Sequence, residues 1–204
     1  CGMLQTACKV FEELPHRNVV SWNALIAGYI KHGFADQALK CFRQLEDAGI
    51  PPNAVTYVSV LKACAIIPSL EVGEEIHDKV KKQGMLMKNV VLGTAVVDMY
   101  AKCGALQKSR EVFDELPHQN VVTWSALIAG YVEHGLGDQA VECFRQMEEE
   151  GVAPNEVTYL CVLKACAAIG SLEVGEEIHA NVREQGLLKK NILLGNTIID
   201  MYAK

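Results

Sequence analysis

The sequence has no hydrophobic run long enough to cross a lipid bilayer. Such a span needs roughly 18 consecutive apolar residues, and charged residues such as Lys62 and Lys164 interrupt the longest candidates. The first residues, Cys1-Gly2-Met3, lack the basic segment followed by an apolar segment that marks a signal or transit peptide. We expect no membrane span, and any targeting peptide of the natural protein lies outside this chain.

The eight cysteines lack the spacing of a metal site or of a secreted disulfide framework. No CxxC or HxxxH spacing is present, and disulfide scaffolds are normally short and rich in loops. Cys41, Cys64, Cys143 and Cys166 lie among apolar residues at helical spacing. We expect reduced thiols that pack in a core, with no metal or other cofactor.

A catalytic constellation is also missing. No nucleophile with a base, no carboxylate pair and no zinc-deaminase signature stands out from the sequence. His77 and His179 lie on acidic helix faces, where a histidine is more typically a surface or packing group than a base. We expect no enzymatic activity.

What the sequence does contain is a repeat. Cys1-Gly2 realigns with Cys103-Gly104, an offset of 102 residues, and about two thirds of the paired positions are identical. Within each copy, an asparagine followed by aliphatic or Val-Thr residues recurs every 31 to 36 residues, at Asn18, Asn53, Asn89, Asn120, Asn155 and Asn191. A period of this length predicts a solenoid, in which each repeat buries its apolar face against its neighbours.

Each repeat is predicted to be two helices separated by a short turn. Trp22, Leu25, Ile26 and Tyr29 show the spacing of one helical face. A second such face follows after Gly33, and Ser69 is placed to cap the second helix of the next repeat. We predict an all-α fold of about twelve antiparallel helices, the last over residues 192–202, with half a repeat at each end.

Three segments resemble the pentatricopeptide repeat family. Residues 120–131, NVVTWSALIAGY, resemble the ordinary (P) motif; residues 155–190, with ACA and GEEIH, resemble the long (L) variant; and residues 98–117, DMYAKCG to VFDELP, resemble the short (S) variant. The Trp, Leu-Gly and Tyr pattern of tetratricopeptide repeats is absent. The order P, L, S is that of the PLS subfamily of plant organelles.

The resemblance divides the chain into a partial S motif (1–17), P (18–52), L (53–88), S (89–119), P (120–154), L (155–190) and a second partial S motif (191–204). It implies a right-handed superhelical α-solenoid whose first helices line a groove for single-stranded RNA, one nucleotide per repeat. It further implies guidance of cytidine-to-uridine editing in chloroplasts or mitochondria.

By the same resemblance, one residue early in each first helix and the last residue of the motif select the base. The pairs are Asn23 with Asn53, Val58 with Asn89, Thr94 with Asn120, Ser125 with Asn155, and Leu160 with Asn191, beside the half-pairs Asn18 and Asn196. The expected RNA order, 5′ to 3′, is pyrimidine, any, A, A, any, pyrimidine. Val58 and Leu160 carry no hydrogen-bonding atom, so we expect little direct readout from the L motifs.

The resemblance also implies aliphatic residues that sandwich the bases, namely Val20, Val55, Val91, Val122, Val157 and Leu193. The alternative is that these residues pack between neighbouring hairpins. For the asparagines, the alternative is a helix N-cap, and both roles can hold at once.

Charge is unevenly placed along the repeats. A net charge of −6 counts against a nonspecific nucleic-acid binder, yet the predicted first helices carry lysines while the second helices are acidic. Lys31, Lys102 and Lys204 are the candidate phosphate contacts, with ordinary solvated lysine as the alternative. Glu133 replaces a lysine in the second P motif, so we expect modest affinity for RNA.

Two rival interpretations remain open. A protein-interaction scaffold would dock a partner through the L motifs, and the resemblance makes multiple organellar RNA editing factors the expected partner. The half motifs at the two ends also predict head-to-tail self-association, which would complete one S motif between two molecules.

Overall fold

The computed structural model describes residues 2–204, so Cys1 lies outside the described residues. These residues form twelve α-helices and no strand, and none of the helices has the length and apolar character of a membrane span. In chain order the helices are α1 (Gly2–Glu13), α2 (Val19–Lys31), α3 (Ala35–Asp47), α4 (Ala54–Ile66), α5 (Leu70–Lys82), α6 (Val90–Lys102), α7 (Leu106–Glu115), α8 (Val121–Glu133), α9 (Gly137–Glu149), α10 (Glu156–Ile169), α11 (Leu172–Glu184) and α12 (Ile192–Ala203). The predicted all-α fold of about twelve helices is confirmed.

The chain divides into two compact units, Cys1–Ala105 and Leu106–Lys204. In the first unit, α4 packs beside both α2 and α6, and α3 packs against α2 and α4. In the second unit, α10 packs beside both α8 and α12, and α9 packs against α8 and α10. Each unit is therefore a stack of helical hairpins in which the first helices form one continuous layer.

An asparagine caps the N-terminus of each of these first helices. The six caps are Asn18, Asn53, Asn89, Asn120, Asn155 and Asn191. Each side chain accepts a hydrogen bond from a backbone N–H of the first turn, which has no partner within the helix. The N-cap interpretation of the asparagines is confirmed.

The turns between paired helices use glycine where the chain must adopt a left-handed conformation. Gly33 ends the turn after α2 with φ 78°, and Gly104 does the same after α6 with φ 76°. Ser69 lies at the N-cap position of α5, but the expected capping bond is absent.

The two sequence copies build equivalent cores. Phe11 meets Trp22 edge to face at 4.6 Å between ring centroids, and Phe113 meets Trp124 in the same way at 4.5 Å. Both tryptophans are buried. Because a large buried aromatic side chain contributes roughly 1.5–3 kcal/mol, this pair fixes the contact of α1 with α2 and of α7 with α8.

One core substitution between the copies leaves a cavity. In the second unit, Arg110 lies over the ring of Phe113 and donates hydrogen bonds to Asp114 and to Gln146. The equivalent residue in the first unit is Cys8, whose short side chain reaches only the Tyr29 hydroxyl at 3.1 Å. A cavity of about 540 Å³, lined in part by Cys8, remains among α1, α2 and α3.

Candidate nucleic-acid interface

The second residue of every capped first helix is aliphatic and exposed. Three lie in each unit, with 54 to 68% of the surface of each residue open to solvent: Val20, Val55, Val91, Val122, Val157 and Leu193. Single exposed aliphatic residues are ordinary, but here they recur at one position of each repeat. Their exposure argues against burial between hairpins as their main role, and their predicted role against bases stays a prediction.

In the first unit, the structure brings the predicted pair Asn23 and Asn53 into direct contact. Asn23 Nδ2 donates to Asn53 Oδ1 at 3.1 Å across the two repeats. Thr56 joins both residues, because its hydroxyl lies 2.7 Å from Asn23 Oδ1 and 3.1 Å from Asn53 Oδ1. Asn23 is buried while Asn53 is exposed, so the solvent meets the pair from the side of Asn53.

In the second unit, Ser125 and Asn155 are joined through a third residue. The Ser125 hydroxyl lies 2.8 Å from that of Thr158 and donates to the Val121 carbonyl at 2.7 Å. Asn155 Oδ1 in turn accepts from the Thr158 N–H at 2.9 Å. The sequence analysis missed Thr56 and Thr158, although both copies carry threonine at this position, the third of the first helix.

The pairs of the two L motifs differ from these. Val58 and Leu160 are half-buried on α4 and α10. Asn89 caps α6 through the N–H of Leu92. Asn191 caps α12 and also donates from Nδ2 to a carboxylate oxygen of Glu156, so both ends of its amide are occupied. The sequence analysis also missed Glu156, which stands where the first copy has an alanine.

The remaining predicted base-reading residues lie at or near the starts of their first helices. Thr94 lies half-buried on α6 in the first unit, and Asn120 is exposed at the start of α8 in the second. The half-pair residues Asn18 and Asn196 are both exposed, the first as the cap of α2 and the second on α12.

The three candidate phosphate contacts are exposed but not equivalent. Lys102 lies 3.2 Å from Asp98, and Lys204 lies 2.8 Å from Asp200, one helical turn earlier in each case. Lys31 makes no ion pair with any residue in the range 2–204. Its positive charge is therefore the least compensated of the three, and the charges of the other two are partly offset by their neighbouring carboxylates.

Three buried thiols have raised pKa values. Burial raises the pKa of Cys41 and of Cys166 to about 11, and that of Cys64 to about 12, so these groups stay protonated at neutral pH. The seven cysteines described, Cys8 to Cys166, are all unpaired. Across residues 2–204, no three histidine, cysteine or acidic side chains converge as metal ligands would.

Comparison with known proteins agrees with the repeat geometry. A model of the PPR repeat family matches residues 17–66 and 119–168, and a PPR repeat model matches residues 94–121. A chloroplastic pentatricopeptide repeat-containing protein of Arabidopsis thaliana is 39% identical over the whole chain, which covers 25% of that protein. A putative mitochondrial one is 37% identical over the whole chain, which covers 32% of it. The chain thus spans about a quarter to a third of these relatives.

Solved structures show the same fold. PPR10 in complex with an 18-nt psaJ RNA element superposes on 80% of the chain with a TM-score of 0.67 at 23% identity, which is 24% of the PPR10 chain. The PPR domain of protein-only RNase P 1 of Arabidopsis thaliana, in complex with tRNA, matches 78% of the chain and 86% of that domain, with a TM-score of 0.63 at 16% identity. At these identities the likeness concerns the fold.

Proposed function

The chain belongs to the pentatricopeptide repeat family, and we propose that it binds single-stranded RNA in a sequence-specific manner, one nucleotide per repeat. The observation that carries the proposal is the exposure of an aliphatic residue beside a capping asparagine at the start of every capped first helix. An apolar side chain of this kind packs against the face of an unstacked base. The neighbouring amide then meets the base edge.

The polar atoms left at the surface are hydrogen-bond donors, which suit a base edge that offers acceptors. The Oδ1 of each asparagine is committed to the helix N-terminus, whereas the side-chain Nδ2 groups of Asn53 and Asn155 have no protein acceptor among the described residues. Adenine offers an acceptor at N1, where guanine carries a donor. The RNA bound by PPR10 and the tRNA bound by the RNase P domain support the same class of ligand.

The finer function is proposed from the P, L, S order of the motifs. The bound RNA would be a substrate of cytidine-to-uridine editing, and the deamination would be supplied from outside these residues. The chain itself would have no enzymatic role. Relatives named chloroplastic and mitochondrial support an organellar location.

Two partners besides RNA complete the proposal. Multiple organellar RNA editing factors would dock on the L motifs, where Val58 and Leu160 offer no base-reading atom. The 204-residue chain in isolation would associate head to tail through its half S motifs. Sedimentation over a range of concentrations tests the second point, since a constant monomer mass would contradict it.

Fluorescence anisotropy tests RNA binding directly. The labelled RNA carries pyrimidine, any, A, A, any, pyrimidine, and the comparison RNA has guanine at both adenines. We expect tighter binding to the adenine RNA, and a reversed preference in Asn120→Asp with Asn155→Asp, because aspartate keeps the capping oxygen but offers acceptors to the base. Equal, salt-insensitive signals for both RNAs would contradict the proposal and favour a protein ligand.

A further inference from the structure

Two threonines that are fully buried lie between the residues of the reading pairs. Thr56 and Thr158 are each 0% exposed and are the third residues of α4 and α10. A buried hydroxyl is costly unless it is hydrogen-bonded, and each of these is bonded within a reading pair. Their position links residues from two successive repeats.

In the first unit, the hydrogen bonds leave only one way to arrange the Asn53 amide. Asn53 Oδ1 accepts from the Thr56 N–H and from Asn23 Nδ2, both at 3.1 Å, which uses both of its lone pairs. The Thr56 hydroxyl accepts from the Asn53 N–H and donates at 2.7 Å to Asn23 Oδ1. Exchanging the amide O and N of Asn53 would set donor against donor at the backbone N–H of Thr56, while the Thr56 hydroxyl fixes the amide of Asn23 by donating to its oxygen. The Asn53 amide therefore presents N–H donors to the surface.

The second unit reaches the same result with a different partner. The single proton of Ser125 goes to the Val121 carbonyl, so Ser125 accepts from the Thr158 hydroxyl. Thr158 accepts in turn from the Asn155 N–H at 3.2 Å, and its own N–H donates to Asn155 Oδ1. Asn155 is thereby also held with its donors outward.

The sequence follows this rule at the other repeat junctions. Where the early reading residue is apolar, as Val58 and Leu160 are, the third residue of the next first helix is Leu92 or Leu194. Where it is the polar Thr94, the third residue is Thr123. A hydroxyl is thus present at the third position wherever the pair has a second polar member.

We propose that Thr56 and Thr158 are positioning residues, whose hydroxyls hold the early reading residue, Asn23 or Ser125, against the capping asparagine so that both residues of the pair meet the same base edge. The inference rests on the proposed RNA binding and deepens it. The threonines do not touch the base; they act through Asn23 and Ser125, to which their hydroxyls donate. The backbone N–H of each threonine keeps the asparagine amide with its donors outward, and these donors distinguish adenine N1 from the N1–H of guanine.

The test measures base preference separately at the two nucleotides. RNAs with adenine or guanine at the nucleotide assigned to Asn155, and with pyrimidine or guanine at the one assigned to Asn53, are titrated against Thr158→Val and Thr56→Val. Each variant should lose roughly tenfold of the preference at its own nucleotide and keep the preference at the other. Thr158→Ser should restore the preference at the Asn155 nucleotide.

Ser21→Ala is the matched control. Ser21 forms the same capping box with Asn18 but contacts no reading residue of a preceding repeat, so both preferences should persist. Preferences that survive in Thr56→Val and Thr158→Val, or that fall at both nucleotides in either variant, overturn the inference while RNA binding stands. A wild-type chain with no preference at either nucleotide overturns the proposed function as well.

Discussion

Removing the carboxylate of Glu156 should strengthen RNA binding while weakening the fold. Glu156 accepts a hydrogen bond from Asn191 Nδ2, so it occupies one of the two side-chain donors that Asn191 could offer to a base. The Glu156→Ala variant frees this donor. It also removes a negative charge beside the expected path of the phosphates, and the first copy of the repeat already has alanine at this position, Ala54.

The magnitude follows from two contributions. One new hydrogen bond to a base is worth about 0.5–1.5 kcal/mol net, and removal of a repelling charge at the surface is worth up to about 1 kcal/mol at low salt. Together they predict about tenfold tighter binding at low salt and a few-fold at high salt. Stability should change in the opposite direction, because Glu156 is the first residue of α10 and an acidic group there contributes about 0.5 kcal/mol.

Anisotropy titrations at two salt concentrations and urea denaturation measure the two effects. The reciprocal variant, Ala54→Glu, places a carboxylate at the equivalent position of the first copy, where it should weaken binding and stabilise α4. Unchanged RNA affinity in Glu156→Ala, or a change of the same sign in both variants, would refute the reasoning.

Three further predictions concern the surface, the core and the thiols. Val157→Ser should lower RNA affinity about threefold to tenfold. It should change the free energy of unfolding by no more than about 0.5 kcal/mol, because Val157 is 54% exposed. A larger loss of stability in urea denaturation would contradict the assignment of Val157 to the interface. Cys8→Arg should fill the cavity among α1, α2 and α3 and raise the free energy of unfolding by about 1 kcal/mol. Arg110→Cys should lower the free energy of unfolding, because it removes the hydrogen bond to Gln146. Chemical denaturation measures both effects, and effects of the same sign would refute the prediction. Burial raises the pKa of Cys64 to about 12, so between pH 9 and 12 the thiol ionises in the unfolded chain but stays protonated in the folded chain. The free energy of unfolding therefore falls as the pH rises through this range. Cys64→Ala should make this fall less steep by up to about 1.4 kcal/mol per pH unit.

The hairpins and their caps were predictable because their signals are local. Trp22, Leu25 and Ile26 lie within one turn of each other on one face of α2, and all three are buried as expected. Asn53 caps the helix that starts at the next residue, so its capping contact is made within three positions of the sequence. Ser69 shows the limit of such signals, because it lies at the predicted N-cap position of α5 and yet makes no side-chain capping bond.

The residues that fix the reading pairs were not predictable from the pattern of one repeat. Thr56 meets Asn23 from 33 positions away in the sequence, and Glu156 meets Asn191 from 35 positions away. Both contacts arise only when successive first helices pack side by side. A comparison of the two copies would have singled out Glu156 as a difference, whereas Thr56, being equivalent to Thr158, shows no difference at all.

The caps also limit how this protein can change its target. A residue that both starts a helix and reads a base must keep an oxygen for the first-turn N–H groups, as Asn53 and Asn155 do. Aspartate retains that oxygen and replaces the outward donors by an acceptor. Alanine loses both and costs about 1 kcal/mol of helix stability. Exchange between the amide and the acid is thus the mutational step by which a repeat can acquire a new nucleotide preference without first becoming unstable.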